Sequence, residues 1–182
     1  MQTSRVTEID GVRISNYQVT SDIRGMFIKL HPLSELGNDL DSVALSFNPK
    51  TGTIRGLHFQ IEPYAEEKLV SCVQGAVFDV AVDLRPESQT FGKWTSFELS
   101  ADNAMQAYLP KGIAHGFQTL MPNSILHYGL TANYAPDSSY VINPLGDLKI
   151  SWPVKEFLIS DRDAQGVSLS YAIQKYSESL TG

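Results

Sequence analysis

Short runs of alternating apolar and polar residues, punctuated by Gly, Pro, Asn and Asp, recur through this sequence and constrain its fold more than any other feature. A period of two marks a strand with two distinct faces, and runs this brief leave little room for long helices. Residues 75–83, GAVFDVAVD, place Ala76, Phe78, Val80 and Val82 on one face and Asp79 and Asp83 on the other. TIRGLHFQI, KLVSCV, KWTSFELS, MQAYLP, GFQTL and SILHYGLT are further strands by the same criterion. Many short strands in one chain predict an all-β sandwich or barrel of the jelly-roll kind. Helix is expected only in brief peripheral pieces, HPLSELG near residues 31–37 and SLSYAIQKY near the end. No repeat, low-complexity stretch or Pro/Gly/Ser linker divides the chain, so residues 1–182 read as one domain. That length buries a sizeable core without disulfides or a structural metal.

Composition narrows the class of function. The net charge is −6, with no basic block, which argues against nucleic acid as a partner. A small anionic ligand stays compatible, because a few arginines in a cleft set the local field. The first ten residues, MQTSRVTEID, lack the apolar run of a secretory leader, and acids interrupt even AVFDVAVDL. Neither export nor a membrane is expected. The single cysteine, Cys72, sits between valines and reads as a buried thiol in a reducing cytoplasm.

Chemistry is carried by a few residues on these strands. Alternation in RGLHFQ puts Ile54, Gly56, His58 and Gln60 on one face. Arg55 then faces away, unless Gly56 marks a bulge. In LPKGIAHGF, Pro110, Gly112 and His115 form a P-x-G-x-x-H turn that presents His115 on the following strand. Each residue also has a plain structural reading. A lone strand histidine is commonly a hydrogen-bonded structural group. Tyr128, between Leu126 and Leu130, fits a packed aromatic, and Asp163 in ISDRDAQG fits a turn cap. His31 and His127 are read as structural.

The P-x-G-x-x-H string resembles the second cupin motif, and RGLHFQ stands where the first would lie. Metal-binding cupins carry a second histidine two residues after the first, where this chain has Gln60, a poor ligand for zinc or iron. At most His58, His115 and Glu66 or Glu67 remain as donors, so no metal is expected.

Taken together and in order, RGLHFQ, KLVSCVQGAVFDVAVDLRPESQTFGKW, ELSADN, LPKGIAHGFQTL, NYAP and ISDRDA resemble the dTDP-4-dehydrorhamnose 3,5-epimerases. The resemblance runs from about Arg24 to Asp163. It implies a cupin-type double-stranded β-helix and proton abstraction at C3 and C5 of a 4-keto-6-deoxyhexose carried on a nucleoside diphosphate. It implies no redox cofactor or metal. His58 matches the family's base, Asp163 the carboxylate that orients it, and Tyr128 the acid. Lys68 matches the lysine beside the sugar. Arg24, Arg55, His115 and Arg162 match substrate-binding positions, and Tyr134 matches a second tyrosine. A homodimer with exchanged N-terminal strands is implied as well.

The chain departs from the family where substrate is read. Met26-Phe27-Ile28-Lys29 follows Arg24-Gly25, placing Lys29 where a carboxylate is usual. ALSFNPKTGT lacks a Gln-x-Asn pattern, Ser139 stands near a common glutamate, and Asn133 precedes Tyr134 where a tyrosine pair is common. The alternatives are inversion at one centre, ketoisomerisation of a related nucleotide sugar, a metal-dependent cupin oxygenase and a non-catalytic sugar-binding cupin. Gln60 opposes the oxygenase. His58, Asp163 and Tyr128 together oppose the binding protein, which needs no acid and base.

Overall fold

The computed structural model describes residues 4–30 and 40–181. Its architecture is two packed antiparallel sheets, the jelly roll expected from the alternation. One sheet contains β1 (Ser4–Val6), β2 (Arg13–Asn16), β5 (Ser42–Asn48), β7 (Lys68–Gln74), β10 (Met105–Leu109) and β12 (Ser124–Leu130). Their order across the sheet is β1-β2-β10-β7-β12-β5. The other holds β6 (Ile54–Gln60), β8 (Ala76–Asp83), β9 (Trp94–Ser100), β11 (Ile113–Thr119) and β13 (Ser139–Val141), in the order β13-β6-β11-β8-β9. A hairpin of β3 (Gln18–Asp22) and β4 (Gly25–Lys29) forms a separate two-stranded sheet. The brief helix expected at residues 31–37, with His31, lies outside the described residues.

The core has two layers because the second sheet is covered on both faces. Inside the barrel, Ile14, Val70, Val77, Ala81, Leu99, Phe117 and Leu126 pack across the two sheets. Outside it, Leu57, Phe59, Val80 and Val82 meet Trp152, Ala172 and Tyr176 of the C-terminal segment. Each large side chain so buried contributes roughly 1.5–3 kcal/mol. The acid-bearing face of β8 is therefore not a solvent face. Asp79 and Asp83 are fully buried on the barrel side, each with its own polar partners.

Two short helices hold the C-terminal segment. In α1 (Asp161–Ala164), the Ser160 hydroxyl caps the first turn by accepting from the Asp163 amide at 3.2 Å. In α2 (Leu169–Ser179), Ser168 caps the start, and Ala172 and Tyr176, four residues apart, turn one stripe into the core. No helix among the described residues is long and apolar enough to cross a membrane.

Candidate active site

The site begins with an irregularity in β6. Opposite β11, His58 pairs with His115 and Arg55 with Phe117, so Gly56 and Leu57 together face Gly116 alone. This bulge shifts the strand's parity and brings Arg55 onto the same wall as His58. Gly56 is required there. Its φ is +107°, and a Cβ would stand 2.6 Å from the His115 carbonyl oxygen.

The bulge also frees a backbone donor. The Gly56 amide donates to Asp163 Oδ2 at 2.9 Å, while Asp163 Oδ1 lies 3.1 Å from His58 Nε2. Burial alone would raise the Asp163 carboxyl, but the bonds from His58 and the Gly56 amide hold it below the ordinary carboxylate range. An ionised carboxylate only accepts, so Nε2 of His58 carries the hydrogen, and in the neutral ring that tautomer leaves the lone pair on Nδ1. The α1 turn that carries Asp163 is anchored to the sheet on both sides. Leu158 exchanges backbone bonds with Gly52 and Ile54, and Val167 does so with Val141 and Asn143.

His58 opens into a cavity of about 290 Å³ between the sheets, which Arg55, Lys68, His115, Tyr128, Tyr134 and Arg162 also line. Lys68 is buried, 3.2 Å from Glu66 Oε1, and donates to the His58 carbonyl at 3.3 Å. Arg55 Nε donates to Asn48 Oδ1 at 2.8 Å, and Asn48 is itself bonded to the Ser46 and Ser124 carbonyls. Arg162 bonds Ser139 Oγ at 3.3 Å. Tyr128 projects from β12, on the opposite sheet from His58. Desolvation, with help from the Asp79 charge, pushes its phenol well above the ordinary value.

Seven of the ten residues singled out in the sequence thus line one cavity, and Asp163 touches it through His58. Arg24 and Lys29 sit apart on the β3–β4 hairpin, where Arg24 is exposed and paired with Asp22. Sequence reasoning missed Asp79, whose two carboxylate oxygens each lie 2.9 Å from His115 Nε2. A charged residue among the valines of AVFDVAVD was the available signal, since such a group needs a buried partner. Among the described residues, no three His, Cys, Asp or Glu side chains gather closely enough to hold a metal ion. Cys72 is unpaired and buried, its thiol pushed up to about 11 by burial. It plays no part in this cavity's lining.

An imidazole on an ionised carboxylate, facing a protonated phenol across a cavity with three basic side chains, is equipped to move protons on an anionic ligand. Comparison with known proteins agrees. A family model described as dTDP-4-dehydrorhamnose 3,5-epimerase matches residues 6–171. The dTDP-4-dehydrorhamnose 3,5-epimerase of Shigella flexneri is 40% identical over 166 residues, covering 88% of this chain and 92% of its own. The solved 4-keto-6-deoxy sugar epimerase from the novobiocin biosynthetic gene cluster of Streptomyces spheroides superposes with a TM-score of 0.88. It is 32% identical, with 96% of this chain and 90% of that one covered. The Legionella pneumophila dTDP-6-deoxy-D-glucose-3,5-epimerase, solved with dTDP-4-keto-L-rhamnose, gives a TM-score of 0.87 at 35% identity. It covers 93% of this chain and 94% of its own. With this agreement in sequence along most of its length and in the jelly roll itself, the chain belongs to the dTDP-4-dehydrorhamnose 3,5-epimerase family.

Proposed function

We propose that the protein is an isomerase that epimerises a dTDP-linked 4-keto-6-deoxyhexose at C3 and C5 in deoxysugar biosynthesis. The observation that carries this reading is the His58–Asp163 pair on one wall of the cavity and Tyr128 on the other. The C4 carbonyl acidifies the neighbouring C–H bonds, since deprotonation gives an enolate. Nδ1 of His58 takes the proton, with Asp163 fixing the tautomer and ring orientation. The Lys68 ammonium stabilises the negative charge that develops on O4. Tyr128 delivers a proton from the opposite face, and the centre is inverted. Acid–base catalysis of this type contributes roughly 10²–10⁴-fold. Arg55 and Arg162 suit the pyrophosphate by forked contacts, His115 lines the sugar end, and Tyr134 closes the mouth.

The working form is a homodimer. The hairpin exposes Val19, Ile23, Met26 and Phe27, and the edge strand β5 exposes Val43, Leu45 and Phe47. Open strand edges with apolar faces of this kind are matched by pairing with a second copy. Exchange of the hairpin would carry Arg24 and Lys29 into the neighbouring cavity, reconciling their family roles with their distance from the cavity in one chain. A buried, unpaired Cys72 suits a cytoplasmic enzyme.

Incubation with a panel of nucleoside-diphosphate 4-keto sugars in D₂O tests the reaction. Deuterium at C3 and C5 of the dTDP sugar, read by NMR, is the expected result. No incorporation from any member of the panel would overturn it.

A further inference from the structure

Gln60 stands two residues after His58, where a metal-binding cupin would offer a second histidine. Here its amide has other work. Nε2 donates to the Asn133 carbonyl at 3.2 Å and to the Tyr64 carbonyl at 2.9 Å, and Oε1 accepts from the Ala135 amide at 2.7 Å. Both amide hydrogens and the oxygen are therefore engaged, on a side chain only 5% exposed. Asn133 and Ala135 flank Tyr134. One side-chain amide thus grips the peptide groups immediately before and after a tyrosine that is itself exposed and lines the cavity.

We propose that Gln60 is a positioning residue for Tyr134, setting where that ring and hydroxyl stand over the bound sugar. The inference rests on reading Tyr134 as a residue that meets substrate. Among the described residues, no side-chain hydrogen bond fixes the Tyr134 ring, so the direction in which it leaves the loop depends on its backbone. That backbone is tied to the end of β6, the strand that carries His58. Base and mouth tyrosine are thereby fixed to one strand, two residues apart. The third bond, to Tyr64, draws the loop leading to Glu66 and Lys68 to the same anchor. Misplacement of a contacting group by about 1 Å can cost as much as 10²-fold in rate, so an anchor of this kind has kinetic weight.

A double-mutant cycle tests the proposal. Gln60→Met keeps the length of the side chain and removes all three bonds, and Tyr134→Ala removes the ring. Each should lower kcat/KM by about 10- to 100-fold, and both should move the ratio of C–H exchange to inversion in the same direction. Gln60→Met in the Tyr134→Ala background should lower kcat/KM little further, because the group it acts through is gone. If Gln60→Met folds poorly, Gln60→Leu serves the same cycle. It is likewise uncharged, removes all three bonds, and should give the same direction of effect. Multiplicative losses, or a lowered melting temperature with parental kcat/KM and exchange ratio, would leave Gln60 a structural tie only. Parental behaviour of Tyr134→Ala would overturn the proposal by removing its target. A parent enzyme that exchanges no deuterium would instead sink the reaction proposed above.

Discussion

His115 meets Tyr128 edge to face, with ring centroids 6.1 Å apart and planes inclined at 72°. Behind His115 stands the fully buried carboxyl of Asp79. This stack keeps Tyr128 neutral, because a tyrosinate here would be desolvated and would face the Asp79 charge. Burial thus favours the neutral phenol, the form that can donate a proton.

Removing only that hydroxyl should separate two observables. Tyr128→Phe keeps the ring against His115, so stability should change by no more than about 1 kcal/mol. His58 still removes a proton and returns one to the same face, so exchange with D₂O persists while inversion falls. Tyr134 is a second phenol on the cavity lining and can substitute in part, so the Tyr128→Phe, Tyr134→Phe double variant should invert least. Full epimerisation by that double variant would leave water as the donor.

His58→Ala should fold normally and lose exchange at every reactive centre. Asp163→Asn should be milder, since it disturbs tautomer and orientation without removing the base. Treatment with EDTA should leave parental exchange unchanged. Near-parental deuterium incorporation by His58→Ala would move the base elsewhere, with His115 the first suspect.

Acid should act through a different carboxylate as well. Asp83 accepts from Arg85, Ser88 and Thr90. Burial alone would raise its carboxyl, yet these bonds hold it below the ordinary range. A depressed carboxyl stabilises the fold above its unfolded pKa of about 3.9 and loses that contribution as pH falls through the lower folded value. Asp163 adds a contribution of the same sign. Melting temperature should therefore drop below about pH 4. Asp83→Ala should cost roughly 1–3 kcal/mol at neutral pH, because the donors of Arg85, Ser88 and Thr90 lose a buried acceptor. It should also make the remaining acid loss shallower. An unchanged acid profile in Asp83→Ala would remove the network from this role.

Hairpin exchange predicts complementation. Arg24→Ala and His58→Ala should each be impaired alone. Co-expressed, they should form mixed dimers in which one site has its own His58 and the other copy's intact Arg24, and activity should return in part. Lys29 rides on the same hairpin, so Lys29→Glu should reorder kcat/KM among 4-keto sugars more than it changes stability. No recovery in the mixture, with Arg24→Ala impaired on its own, would mean that Arg24 serves its own chain and the hairpin is not exchanged.

How far the sequence could be read depended on what each strand faces. Strands β6, β7, β8, β9, β10, β11 and β12 were legible because apolar side chains entering a core leave a period-two trace. The same logic did not extend to β3, β4 and β5. Val43, Leu45 and Phe47 on β5 point away from the cavity and are exposed in the single chain, while Ala44 and Ser46 line the cavity. A face made for a ligand and a face made for another chain reverse the usual inside–outside pattern. At the site, strict alternation turned Arg55 away from His58, and only the family resemblance and the option of a bulge at Gly56 pointed to it. Asp79 was obscured because a buried carboxylate and a solvent-facing one look alike in an alternating string.

The bulge at Gly56 has a consequence for spectroscopy. Most amides in β6 are protected by a carbonyl on a neighbouring strand, and their exchange with solvent deuterium reports the opening of the sheet. The Gly56 amide is different, for its acceptor is the carboxylate that holds His58. Its proton chemical shift and its exchange rate should therefore follow the charge on Asp163, moving when the carboxyl is protonated or when substrate draws the imidazole away. One backbone resonance in an otherwise unlabelled strand becomes a gauge of the state of the base.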